Sequence, residues 1–235
     1  MLELRKPPSA FVTSWFNLFF SSTAERVYNN PMPMRLAKPR LSFFPWNRVS
    51  FEFFETGPLV DGELQLCPPS LNRVDALLAA TEPMTDRDAL RRQILDFLRA
   101  CPDGHQKPDR FGETLPTYHF WMVVPGETLP VVGGIGLRVG NNFDTVTYFG
   151  HIGYHVYPHA RGRRYAKRAC QLLLPLALRH GLDPLWITCN PDNFASRRTC
   201  ELLGAKLVET IPVPENHLLH QRGDREKCRY RLDLK

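Results

Sequence analysis

HIGYHVYPHARGRRYA, residues 151–166, is where the chain leaves a strand and opens a helix through a basic turn. The apolar run stops at Pro158, and Arg161-Gly162-Arg163-Arg164 come within the next six residues. The start of a helix carries backbone N–H groups without intrahelical acceptors and a partial positive charge. Here no Ser, Thr, Asp or Asn stands ready to cap them, because the preceding residues are Tyr157, Pro158, His159 and Ala160. An anion suits that vacancy, and Gly162 lets backbone come close to it. Arg161, Arg163 and Arg164 add charge-assisted donors. A plain basic helix start on a solvated face is the alternative and stays open.

The regions around this turn read as regular elements. TVTYFGHIGYHV before it is one long strand. After it, a helix over about 161–180 places Ala169, Cys170, Leu173 and Ala177 on one face, with Gly181 as its stop and Pro175 as a kink. PLWITCN is a buried strand, and NFASRRTCELLG is a short helix ended by Gly204. AKLVETIPV and KCRYRLDL are two more strands. Toward the N-terminus, ELQLCPP alternates as a strand, and SLNRVDALLAA carries Leu71, Val74, Leu77 and Leu78 at helical spacing behind Ser70. TDRDALRRQILDFLRAC repeats the pattern with Thr85 or Asp86 as cap and Leu90, Ile94, Phe97 and Leu98 inward. TYHFWMVV and VVGGIGLRV are strands, and the GGIG run marks a bulge or a close backbone approach. Consecutive strands imply an antiparallel meander, and the strand–helix–strand unit implies one parallel pair. The fold class is therefore α+β: a mixed, mostly antiparallel central sheet flanked by helices.

That element order and turn resemble the GNAT acyltransferase superfamily over about residues 63–235. The superfamily signature Gln/Arg-x-x-Gly-x-Gly/Ala falls on His159, Ala160, Arg161, Gly162, Arg163 and Arg164, followed by Tyr165-Ala166. The central glycine matches, while the first and last positions depart from the pattern. The resemblance implies that this turn holds the pyrophosphate of acetyl-CoA. It also implies that Tyr154-His155-Val156 run beside the pantetheine arm, whose amides bond the strand like an added neighbour, and that the next parallel strand, LWITCN, splays away; an ordinary paired strand is the alternative. NPDNFASRRTCELLGA, residues 190–205, resembles the second coenzyme segment through Asn190, Asn193, Ser196 and Gly204. Where relatives carry a tyrosine as the acid for the departing thiolate, this chain has Cys200. Where many carry a glutamate base, it has His151, with His155 as the second choice. A thiol titrates near 8.5 and an imidazole near 6.5, so both suit proton transfer (about these values in model peptides). A core cysteine, a strand histidine bonded within the fold and an Asn193 helix cap are the alternatives for these residues.

The resemblance thus implies an acetyl-CoA-dependent N-acetyltransferase acting on a small-molecule or peptide amine by direct attack, with no metal. A non-catalytic acyl-CoA binding module is the second reading. A nucleic-acid binder is the third, and its basic stretches lack the interleaved aromatics such a surface uses. With 235 residues, 43% apolar and 23% charged, the chain fits one domain plus an appendage, and its net charge of +6 is compatible with ordinary solubility. Residues 1–60 form the N-terminal extension and 61–235 the domain. Within the extension, FVTSWFNLFF behind Arg5 and Lys6 loosely mimics a signal peptide, but Thr13, Ser14 and Asn17 interrupt it. No run reaches a membrane span's roughly 18 apolar residues. The six cysteines form no CxxC pair and are scattered, which suits a reducing, cytoplasmic setting. A homodimer is left open.

Overall fold

A computed structural model describes residues 51–81, 86–108 and 115–234. The signal-like stretch and the Thr85 cap lie outside them. A hairpin of β1 (Leu59–Asp61) and β2 (Leu64–Cys67) leads to a 3-10 turn, Leu71–Arg73, and α1 (Val74–Ala80). Next come α2 (Arg87–Ala100), β3 (Thr117–Val123) and β4 (Val131–Arg138). A π-helical turn, Thr145–Phe149, precedes β5 (Ile152–Val156), and α3 (Tyr165–Arg179) follows. The chain ends with β6 (Leu185–Cys189), α4 (Phe194–Leu202), β7 (Lys206–Pro212), α5 (Leu218–Gln221) and β8 (Glu226–Leu232).

The first five strands form an antiparallel sheet in sequence order, and β6-β8-β7 form a second antiparallel sheet. Period-two alternation on β3 feeds two cores. Tyr118, Phe120 and Met122 face the cluster that includes Ala169, Cys170, Leu173 and Ala177 of α3. Trp121 and Val123 face the other cluster, with Val74, Leu77 and Leu78 of α1 and Leu90, Ile94 and Phe97 of α2. The helices thus flank the sheet on both sides. Each fully buried side chain such as Leu173 contributes about 1.5–3 kcal/mol of apolar transfer. Asp86 caps α2 by accepting Ala89 N–H at 2.9 Å. Pro175 leaves the Gln171 carbonyl without its helical donor, but both residues are exposed, so the loss falls on the solvent side and α3 runs on.

Two expectations need correcting. Leu71 is exposed, because the 3-10 turn preceding α1 rotates it out of the apolar stripe. The long strand over 145–156 is a π turn followed by five residues of strand. Side chains take its carbonyls in place of a ladder: Thr188 Oγ1 donates to Tyr148 O at 2.8 Å and Arg229 Nη2 to Val146 O at 2.9 Å. The splaying of LWITCN from the preceding strand is found as expected. His151 N–H donates to Trp186 O at 2.7 Å, but no ladder joins β5 to β6, and the two sheets part there.

The GGIG expectation finds its cause at Gly133. The β3–β4 register shifts beside it, and a Cβ there would lie 2.1 Å from the His155 carbonyl oxygen. Residues 51–58 also pack onto the domain. Phe53 stands edge-on to Tyr118, and the Arg179 guanidinium lies 4.3 Å from the Phe54 ring centre.

Candidate active site

The turn ahead of α3 is a cradle of unused donors. Pro158–Ala160 form a 3-10 turn, and Gly162 takes φ +84° with nothing within 4 Å of where a Cβ would sit. Arg164, at the N-cap of α3, takes φ +60°, and its side chain caps nothing. It is the one positive-φ residue other than glycine among the described residues. That conformation costs an L-residue roughly 1–2 kcal/mol. The N–H groups of Gly162, Arg163, Arg164, Tyr165, Ala166 and Lys167 meet no protein acceptor among the described residues. Six amides on an exposed turn rich in arginine fit a diphosphate.

The arginines divide their work. Arg161 Nε donates to Val156 O at 3.1 Å and ties the turn to the end of β5. Arg163 pairs with Glu127 at 2.6 Å, so it is less available than the sequence suggested. Arg168 grips Asp61 and Glu63 in the β1–β2 turn, each at 2.7 Å, and fixes the base of α3. The hydrogen bond from Arg168 holds the Glu63 carboxyl down at about 2. Arg164 is exposed and joins no protein ion pair among the described residues. Tyr165 is buried in the core, and Ala166 is partly covered.

The edge of β5 is the second component. Arg138 N–H bonds His151 O and Tyr157 N–H bonds Val132 O, and these contacts bracket the β4–β5 ladder. Bonded pairs alternate along an antiparallel strand, so Gly153 and His155 pair with β4. The N–H and C=O of Tyr154 and the N–H of Val156 therefore point into the gap that β6 vacates. Such an edge accepts an extended chain with its own amides.

The side chains around the gap are less free than the sequence implied. His151 is fully buried, with Nδ1 accepting Trp186 N–H at 2.9 Å. Its Nε2 must then carry the proton, facing Asn141 Oδ1 at 2.9 Å and Gly140 O at 3.1 Å. Burial pushes its pKa down to about 4. With both nitrogens committed, His151 offers no lone pair to an incoming amine, so its expected role as base is corrected to an anchor between β5 and β6. His155 lies edge-on to Tyr157 at 4.8 Å, and burial holds it near a pKa of about 4.

Cys200 is likewise corrected. It is fully buried in the core, and its thiol is hydrogen-bonded to Cys189; that bond, with burial, raises its pKa. Asn193 Oδ1 accepts Ser196 N–H at 3.0 Å, which is helix capping. Asn190 bonds Asp224 at 2.7 Å and Lys227 at 2.6 Å, tying the end of β6 to the β7–β8 loop.

One side chain was expected to matter only through its backbone. The Tyr154 hydroxyl crosses from β5 to the first turn of α4, where it meets Ser196 Oγ at 2.9 Å and Ser196 O at 3.3 Å.

Comparison with known proteins bears on the family and the fold. A family model described as the acetyltransferase (GNAT) domain matches residues 65–206. An acetyltransferase of the GNAT family from Bacillus anthracis superposes with a TM-score of 0.52 at 17% identity, covering 76% of this chain and 99% of that one. The microcin C7 self-immunity acetyltransferase MccE, solved with acetyl-CoA and AMP, gives a TM-score of 0.53 at 14% identity over 74% and 93%. RimL, a ribosomal L7/L12 alpha-N-protein acetyltransferase, gives 0.53 at 15% over 79% and 98%. At these identities the likeness shows the fold. No curated protein matches the chain at a significant level.

Proposed function

Because the chain belongs to the GNAT acetyltransferases, we propose that it moves the acetyl group of acetyl-CoA to a primary amine of a small molecule or a peptide. The observation that carries this reading is the set of six unpaired amides at the head of α3, beside the unpaired edge of β5. Acetyl-CoA supplies an acetyl thioester. The amides of residues 162–167 and the Arg164 guanidinium hold the diphosphate. The Tyr154 and Val156 backbone groups hold the pantetheine, and Val156 N–H polarises the thioester carbonyl. With His151 neutral and fully bonded, the amine sheds its proton to water before it attacks. The pH dependence of kcat/KM then follows the amine's own pKa.

A non-catalytic acyl-CoA binding module is the second reading. It is favoured by one observation: both side chains that the sequence offered for proton transfer are committed inside the fold. Release of free coenzyme thiol from acetyl-CoA with a panel of small amines and peptide N-termini separates the two. Amine-dependent release supports transfer. Tight binding of acetyl-CoA without release would leave the binding module. The described residues include no helix long and apolar enough to cross a membrane.

A further inference from the structure

Resting on the acetyl-transfer reading, we infer that Arg222 selects acceptor amines that carry a carboxylate. Two faces of the molecule meet at the gap between β5 and β6. Cys189, Cys228 and Tyr230 of the second sheet pack in the core with α3. By alternation Thr188, Lys227 and Arg229 point to the opposite face, where Thr188 and Arg229 bond the π turn. On that face Ile211, Val213 and Leu219 close over Tyr148 and Phe149. The β7–β8 loop therefore covers the side away from α3, whose head carries the diphosphate amides. Asp224 and Lys227 both bond Asn190, just past the end of β6, and hold the loop at the open end of the gap. An amine that attacks a thioester in the gap from the side opposite α3 passes this loop.

Arg222 is the unanswered charge in that loop. Its backbone N–H bonds Leu218 O and Leu219 O at the end of α5, which fixes its place. Its side chain is half-buried and joins no ion pair among the described residues. Nη1 is shut off from solvent and meets no acceptor among them. Asp224, whose charge it feels, is already engaged: Oδ1 accepts Asn190 Nδ2 at 2.7 Å and Oδ2 accepts Lys227 Nζ at 2.9 Å. A sealed cationic donor without a partner destabilises the fold, and an arriving anion relieves it. The planar guanidinium fork matches a carboxylate, whether of a free amino acid or of an acidic side chain beside a peptide N-terminus.

The test reads binding without turnover. N-acetylglycine, N-acetyl-β-alanine and N-acetyl-γ-aminobutyrate, each beside its amide, are titrated by calorimetry into the protein with and without coenzyme A. A second arm uses N-acetylated peptides with Asp or Glu next to the N-terminal residue, against Asn or Gln, and tells a free amino acid from a peptide acceptor. In one arm the carboxylate is expected to bind at least about 10-fold tighter than its amide. Arg222→Met erases that preference: it weakens the carboxylates about 10- to 100-fold and leaves the amides within about twofold. The same variant melts no lower than wild type, because it keeps the apolar stem and removes an unpaired charge. Arg222→Lys keeps the charge without the fork and falls between. Equal binding of carboxylates and amides in both arms would overturn the assignment, as would a preference that survives Arg222→Met. So would an Arg222→Met protein that melts several degrees below wild type, since the guanidinium would then have a partner inside the fold. Failure of coenzyme A to bind the wild-type protein, with the carboxylate preference intact, would instead overturn the acetyl-transfer reading itself.

Discussion

Arg164→Gly is expected to make the protein more stable and a poorer binder at the same time. Arg164 holds φ +60° at the head of α3 without capping it and without a protein ion pair among the described residues. Relief of the left-handed conformation returns about 1–2 kcal/mol. The extra freedom of glycine in the unfolded chain takes back about 0.4–1 kcal/mol. The net gain of about 0.5–1 kcal/mol corresponds to a Tm roughly 1–4 °C higher in a chain of this size. Loss of a charged hydrogen bond to phosphate costs about 1.5–3 kcal/mol, which weakens coenzyme A binding roughly 10- to 100-fold. Scanning calorimetry and titration calorimetry read the two effects separately. Arg164→Ala is the control: it keeps a Cβ at positive φ, so it loses the affinity and gains no stability. A glycine variant that melts below wild type and binds coenzyme A equally well would refute the view that strain is retained there for a ligand.

Other outcomes follow from the same geometry. His151→Ala strips acceptors from buried donors at the β5–β6 junction and should cost about 3 kcal/mol in urea unfolding, with kcat per folded molecule within a few fold; a 100-fold loss of kcat at unchanged stability would restore His151 as base. Stability should fall as pH drops from 6.5 toward 4, because His105, His151, His155 and His180 are all held down at about 4 and the unfolded chain takes up the protons first. His151 alone gives about 1.4 kcal/mol per pH unit, and a flat Tm across that window contradicts the burial argument. Glu63 has the same sign at lower pH. Its contribution is complete above pH 4.5 and is lost as pH falls through about 2, so Glu63→Gln should flatten the acid limb of the melting curve.

Local patterns with local causes were legible before any coordinates. The apolar spacing of Leu90, Ile94, Phe97 and Leu98 buries as expected, and the alternation from Tyr118 to Val123 splits between two cores. The uncapped turn around Gly162 needed only the absence of a capping side chain before it. Residues 145–151 misled because β-branched and aromatic side chains favour a strand, while the carbonyls there are satisfied by Thr188 and Arg229, far along the chain. His151 and Cys200 stand where the resembled motifs place a base and an acid. Whether an imidazole or a thiol is available depends on its partners, Trp186 N–H and Cys189, and a one-dimensional pattern does not show those. The Tyr154–Ser196 contact spans 42 residues and joins a strand to a helix, so no spacing rule could find it.

A crystal structure with coenzyme A bound addresses the main claim most directly. The account predicts diphosphate oxygens within hydrogen-bond distance of the amides of residues 162–167 and the pantetheine lying along Tyr154 and Val156. Coenzyme A bound elsewhere on the molecule, with those amides still turned to water, would contradict it.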